Sequence, residues 1–122
     1  MQAHVRTRYA IGGQAASSDP AATAIAGADR YATALDVAQR FFPAAPSLGF
    51  ATGAGFADAL SGGPVEAARS GALLLTPSCG ALAGNVMSYL GSVKARVGGA
   101  VLFGGVGAVG DDVLSQLDSA LG

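Results

Sequence analysis

Tryptophan is absent from this 122-residue chain, and histidine and cysteine occur once each, as His4 and Cys79. A lone cysteine forms no intrachain disulfide, so no disulfide framework holds the fold and the redox compartment stays open. One histidine with one cysteine supplies no cluster of metal ligands. His4 stands in the N-terminal tail, which leaves no Ser–His or Cys–His pair inside the module. Charge is scarce too. Asp, Glu, Lys and Arg make up 12% of the residues and the net charge is -1, about half the usual charged share. This excludes the basic footprint of a nucleic-acid binder. No apolar run has the length of a membrane span. The opening, MQAHVRTRYAIGG, lacks the apolar core of a signal peptide. A secreted protein would therefore carry its signal upstream of this stretch.

What is present is small and apolar. Hydrophobic residues reach 51% and glycines number 19. The length suits one domain, and small side chains suit closely spaced helices and sheets. The segment Arg8 to Asp19, RYAIGGQAASSD, has an echo in Ala100 to Asp111, AVLFGGVGAVGD. At an offset of 92 the two share Gly12/Gly104, Gly13/Gly105, Ala16/Ala108 and Asp19/Asp111. Each is a short apolar run, a Gly-Gly break, a small-residue turn and an acid. The order points to a slice of a tandem array, the tail of one unit followed by one whole unit.

Five apolar runs alternate with helical patterns. A strand is expected near Arg8–Ile11. Asp19-Pro20 reads as N-cap and first helical residue of a short helix over Ala21–Ala26, stopped by Gly27. Asp29 caps a longer helix, Arg30–Phe42, with Asp36 and Arg40 placed as an i,i+4 ion pair. Leu48–Thr52 reads as a strand and Phe56–Ser70 as a helix that Gly62-Gly63-Pro64 weakens or kinks. Ala72–Thr76 is the clearest strand, Ala81–Val97 a helix, Ala100–Phe103 a strand and Asp111–Leu121 the last helix. Continuous apolar strands are those of a parallel sheet covered on both faces. With alternating helices they make an α/β doubly wound sandwich.

In such a fold the strand C-termini and the next helix N-termini share one edge. Gly12-Gly13, Thr52-Gly53, Thr76-Pro77-Ser78 and Gly104-Gly105 all fall there. Tight turns explain each alone; four together equally suit a surface for anions and sugar hydroxyls. The turn Gly53-Ala54-Gly55-Phe56-Ala57-Asp58 comes near the dinucleotide fingerprint but places an acid where the third glycine belongs. No Walker A sequence and no Gly-x-Ser-x-Gly elbow occurs.

Asp19, Asp29 and Asp111 read as caps. Asp112 and Asp118 read as solvated helix positions, and Glu66 as a partner for Arg69. Asp58 stands in the first turn of a helix, where it stabilises the dipole or makes a polar contact at the ligand edge or between modules. In Gly27-Ala28-Asp29-Arg30-Tyr31-Ala32-Thr33, Arg30 and Tyr31 form a forked donor beside a ring face, a pairing suited to carbohydrate or phosphate. Arg30 suits equally a carboxylate partner such as Asp58.

Four motifs in order, GADRYATALDVAQRFFP, LGFATGAGFADALSGGPVEA, ALLLTPS and AVLFGGVGAVGDDVLSQL, resemble the cell wall binding repeat 2 family over about residues 25–122. Residues 1–24 are then the tail of a preceding repeat, a strand plus a short helix, and 25–122 one complete repeat. The resemblance implies a Rossmann-like three-layer sandwich with a short, mostly parallel sheet. It implies a non-catalytic module, without cofactor or metal, that anchors a secreted surface protein non-covalently to anionic cell-wall polysaccharide. It also implies packing with sister repeats or as a homo-oligomer, a trimer, with no nucleic acid and no membrane insertion. Carried over by position, the motif residues are Asp29, Arg30, Thr33, Thr52, Phe56, Asp58, Thr76 and Ser78. Two departures stand out: Cys79, where an acid or polar residue is more usual, and Gly84, in place of a better helix former. Other readings are part of a peptidoglycan amidase or wall hydrolase, because such modules accompany amidases, and a phosphate- or nucleotide-binding Rossmann-like domain.

Overall fold

The computed structural model describes residues 7–55, 57–105 and 107–122. His4 and Phe56 lie outside these residues. In chain order the elements are β1 (Tyr9–Ile11), α1 (Gly13–Ser18), β2 (Thr23–Ile25), α2 (Arg30–Phe41) and β3 (Ser47–Thr52). They continue with α3 (Ala57–Ala68), β4 (Ala72–Thr76), α4 (Gly84–Val93), β5 (Gly99–Phe103) and α5 (Asp111–Leu121). Every strand pairing is parallel. A three-stranded sheet runs β4-β3-β5, and β1 and β2 form a separate pair. The architecture is the expected α/β Rossmann-like sandwich, with its parallel strands divided between two small sheets.

β3 sits in the middle of the larger sheet, and all six of its residues are buried, as a continuous apolar run demands. Successive side chains alternate between faces. Leu48 and Phe50, with their register partners Ala72 and Leu74 on β4, meet Leu35 and Ala38 of α2 and a cluster from α4 and α5. That cluster includes Val86, Leu90, Val93, Val113 and Leu117. The other face belongs to α3, and there the packing depends on missing side chains. A Cβ on Gly49 of β3 would lie 2.6 Å from Glu66 Cγ and 2.8 Å from the Phe103 ring. A Cβ on Gly62 of α3 would lie 2.6 Å from that same ring. The helix therefore lies directly on the sheet, with the Phe103 ring beside both glycines.

Glu66 is the unexpected occupant of this interface. Its side chain is 1% exposed. Ser47 Oγ donates to its Oε2 at 2.8 Å. Oε1 has no hydrogen-bond partner among the described residues; the Arg69 guanidinium lies 3.9 Å away. In the sequence Glu66 reads as a partner for Arg69. The pair exists, but the carboxylate lies under the sheet.

Other expectations are corrected. Residues 23–25 are strand, not the interior of a helix over 21–26. Asp19 closes α1 at its C-terminus and pairs with Arg8 at 3.0 Å. That pair raises the Arg8 pKa and, chiefly through its hydrogen bond, lowers that of Asp19. Arg40 stands over the rings of Tyr9 and Phe41, at 5.2 and 5.8 Å, and makes no ion pair with Asp36 among the described residues. These contacts dock β1 on the end of α2. The helix expected over 81–97 is confined to 84–93. Its approach is held open by α5, where Asp112 Oδ2 accepts from Gly80 N at 2.7 Å and Gln116 Oε1 from Leu82 N at 2.8 Å. Asp112 is thus a tether rather than a solvated position. The first residue outside α5 at its N-terminus is Gly110, so Asp111 belongs to the first turn and is not the cap. Pro64 lies inside α3 without ending it. The carbonyl it leaves without a donor belongs to Leu60, on the solvent side.

The echo at offset 92 has a structural counterpart. Gly12 and Gly104 both adopt positive φ, 88° and 109°, and each directly follows a strand. Registers agree as well. Ile11 pairs with Ile25, two residues before Gly27, and Phe103 pairs with Ala51, two residues before Gly53. The likeness ends there, because α1 begins at Gly13 whereas α5 begins at Asp111.

Two outcomes follow from the packing. Gly49→Ala will destabilise the chain by about 1–3 kcal/mol, the usual cost of overpacking. Gly91→Ala in α4, where a Cβ meets nothing within 4 Å, will stabilise it by about 0.5–1 kcal/mol through helix propensity. Urea unfolding of both variants checks the pair. Tyr89 Oη donates to the Phe42 carbonyl at 2.7 Å, and burial raises its pKa. A raised phenol pKa means the folded state holds its proton longer. The stabilisation is complete below the ordinary tyrosine pKa, about 10, and is lost as pH rises through the raised value. Tyr89→Phe will cost about 1 kcal/mol at neutral pH and flatten the alkaline limb of a stability–pH curve.

Candidate binding edge

The C-terminal ends of β3 and β4 meet the start of α2 at one place, Gly53. Its N–H donates to the Thr76 carbonyl at 2.9 Å. Its carbonyl accepts from Arg30 Nη1 at 2.5 Å. Its missing side chain leaves room for Tyr31, whose ring Cε1 would lie 2.5 Å from a Cβ there. Arg30 and Tyr31 thus grip the turn between β3 and α3 from two directions. Thr52 precedes that turn and is register partner to Thr76. Thr52 Oγ1 accepts from Ala54 N at 3.2 Å and shares a hydrogen bond with Ser78 Oγ at 3.0 Å.

The carried-over residues separate into groups. Arg30, Thr52 and Ser78 gather around the Gly53 turn. Arg30 and Ser78 are exposed, while Thr52 is 6% exposed and reaches the surface only through its hydroxyl partner. Thr76 is fully buried, and its Oγ1 has no hydrogen-bond partner among the described residues. Asp58 stands beside the next turn, where a Cβ on Gly104 would meet its Oδ2 at 2.6 Å. Among the described residues it forms no ion pair with Arg30, whose guanidinium is turned to the Gly53 carbonyl.

Asp29 and Thr33 build the corner itself. Asp29 caps α2, accepting from Ala32 N at 2.9 Å. Thr33 Oγ1 reaches back to accept from Gly27 N at 2.9 Å. Gly27 packs so tightly on Ala32 and Thr33 that a Cβ would overlap both. The motif from Gly27 to Thr33 is a closed capping turn that aims Arg30 and Tyr31 at Gly53. Tyr31 is the contributor that the motif transfer left out; the requirement for glycine at 53 was its trace in the sequence.

Chemically the edge offers a cation and hydroxyls. A guanidinium carries five N–H donors in a planar fork, and one of its nitrogens is committed to Gly53. The rest remain for a carboxylate or phosphate. Thr52 and Ser78 keep acceptor capacity for sugar hydroxyls. Two hollows flank the start of α2. One, of about 200 Å³, is lined by Tyr31, Leu75, Pro77 and Val86. The other, of about 730 Å³, is lined by Asp29, Arg30, Thr33, Ile11, Val37 and Leu73 among others. Among the described residues no three His, Cys, Asp or Glu side chains are grouped to hold a metal ion, and no helix is long and apolar enough to cross a membrane.

Parallel sheet, glycine turns and a cation-and-hydroxyl edge together define an α/β binding module. The chain belongs to the Cell wall binding domain 2 (CWB2) family, whose description matches residues 24–114. That family comprises cell-wall-binding, generally non-catalytic domains of cell-surface proteins. Among solved structures the chain is similar in fold to Cwp8 from Clostridium difficile, with a TM-score of 0.74 and 20% identity. The match covers 92% of this chain and 20% of that one, so the chain spans a fifth of that protein's length. A comparison with curated proteins finds no match.

The capping turn makes its own prediction. Asp29→Ala will cost about 1 kcal/mol of stability, and Thr33→Val about 1–3 kcal/mol by leaving Gly27 N–H unpaired. Because this turn aims Arg30 at Gly53, wall binding per folded molecule will weaken in both. Pelleting assays normalised to the folded fraction by circular dichroism check this.

Proposed function

We propose that the chain is a non-catalytic module that anchors a secreted surface protein to anionic cell-wall polysaccharide. The observation that carries this reading is the exposed Arg30 guanidinium, fixed by Gly53 beside the Thr52–Ser78 hydroxyl pair. A cation held next to hydroxyls at the rim of a sheet suits a polymer that alternates acidic groups with sugar hydroxyls. Family membership supports the wall as the target. Neither the wall-hydrolase nor the nucleotide reading gains support from the family or from the edge.

In this reading residues 1–24 are the tail of a preceding unit and 25–122 one whole unit. Support comes from the matched glycine turns after β1 and β5. Copies of the unit associate, with three as the expected number. The candidate contacts to polymer are Arg30, Thr52, Ser78 and Asp58. Phe56 keeps its place by motif alone, and Asp29, Thr33 and Thr76 act by shaping the turn.

Co-sedimentation with Gram-positive cell walls tests the proposal. The chain will pellet with native walls and stay in solution with walls chemically stripped of their secondary polymers. Arg30→Ala and Ser78→Ala will each weaken pelleting by about fivefold or more, the worth of one hydrogen bond. Equal binding to native and stripped walls would remove the polymer from the proposal.

A further inference from the structure

Tyr31, the chain neighbour of Arg30, and Pro77, the chain neighbour of Ser78, both line the smaller hollow beside α2. Leu75, Leu82 and Val86 complete its apolar wall. Leu82 and Val86 are buried, and Leu75, Pro77 and Tyr31 half-buried. Among the described residues the one charged group in the lining is the exposed Asp29 carboxylate.

The loop between β4 and α4 forms one side of this hollow, and the start of α5 holds that loop in place. Gly110 N donates to the Ser78 carbonyl at 2.8 Å. Gln116 donates to the Gly80 carbonyl and accepts from Leu82 N, both at 2.8 Å. Asp112 accepts from Gly80 N at 2.7 Å. A loop tied down at four points stays open, and a site formed in advance loses little entropy on binding.

Size and lining narrow the occupant. A volume of about 200 Å³ is below that of a pocket for a whole small ligand, about 300–1,000 Å³. It suits one substituent projecting from a larger molecule. The apolar wall disfavours a charged group or a free hydroxyl, because burying a polar group without a partner is costly. Asp29 has one oxygen outside its bond to Ala32 N; its carboxylate repels an acid and favours an N–H. The Tyr31 ring offers a flat face to a planar group. A short acylamide meets all of these conditions, with a methyl for the wall, a plane for the ring and an N–H for the carboxylate.

We propose that this hollow is a subsite for the N-acyl group of an amino sugar in the bound polysaccharide. The inference rests on the proposed function and names a substrate class within it, an acidic polysaccharide that contains N-acylated amino sugars. Arg30 and Ser78, next in the chain to two of the lining residues, then meet the acidic and hydroxyl groups of the same polymer.

Amide NMR titration of the full chain tests this. The probes are the methyl glycosides of N-acetylglucosamine and N-acetylgalactosamine. Methyl glucoside and methyl galactoside, with a hydroxyl in place of the acetamide, are the controls. An N-acetyl probe will shift the amides of Tyr31, Ala81 and Ala83 saturably. Its parent glycoside will bind at least about tenfold more weakly, the worth of one methyl-sized group in an apolar pocket. Ala81 and Ala83 line the hollow from exposed positions, so Ala81→Leu and Ala83→Leu each fill it without entering the core. Both variants will keep the circular dichroism of the wild type and lose the probe response. Equal affinity for probe and parent, shifts confined to other parts of the chain, no saturable shift, or full binding by both filled variants overturns the proposal. Wall pelleting separates the two readings. Pelleting with native walls without a response to the N-acetyl probes leaves the anchoring proposal standing and ends this one, and a probe response without pelleting does the reverse.

Discussion

The distance between α3 and the central strand governs this structure. Gly49 and Gly62 allow the helix to lie on the sheet with the Phe103 ring beside both. Gly71 completes the approach, since a Cβ there would overlap both Glu66 and the Ser47 backbone. What remains underneath is filled by the Glu66 side chain. The Ser47 hydroxyl gives that buried carboxylate one hydrogen bond. A buried polar group with an oxygen left without a partner is costly, so this contact is better understood as a constraint on geometry than as a source of stability. It sets where α3 begins and therefore where the Gly53 turn stands. It also determines which side chains α3 has left for the outside.

The candidate binding edge follows from that placement. A turn leading into a helix pressed close to the sheet is braced by a neighbouring helix, and α2 supplies the brace through Arg30 and Tyr31. The capping turn from Gly27 to Thr33 aims those two residues. A motif that seems at first to be a ligand-binding signature is for the most part a piece of carpentry. Its one free chemical function is the remainder of the Arg30 guanidinium. Specificity on such an edge rests on a few groups held rigidly, which suits repeated weak contacts better than a single enclosed ligand.

Legibility in the sequence depended on whether an element was determined locally. β3, β4, α2 and α5 were readable because apolar runs or helical spacing define each within its own residues. β2 was misread because Asp19-Pro20 imitates a helix start, while the strand exists only through its pairing with β1. α4 was drawn too long because the loop before it is tethered by Asp112 and Gln116, far along the chain. The role of Asp29 as a cap was visible; that of Thr33 needed the folded corner. The pairing of Glu66 with Arg69 was legible, but the burial of Glu66 was not, since only the folded contacts of Gly49 and Gly71 reveal what lies against it. Tyr31 was noticed as a neighbour of Arg30 but not as the filler of the space that Gly53 leaves.

All the strands of each sheet point the same way, so the turns that carry the candidate contacts collect at one end of the larger sheet. Copies related by a rotation axis hold equivalent groups at equal height along that axis. In a closed ring every edge would thus meet the same plane of the wall. In the proposed anchoring role, a polymer with a repeating unit would engage such edges one after another, each at the high effective concentration set by the one before. Avidity of this kind adds about 10²–10⁴ to apparent affinity without any new contact. In that role one shallow, hydroxyl-lined edge would suffice for firm attachment, and detachment would depend on how many edges let go together.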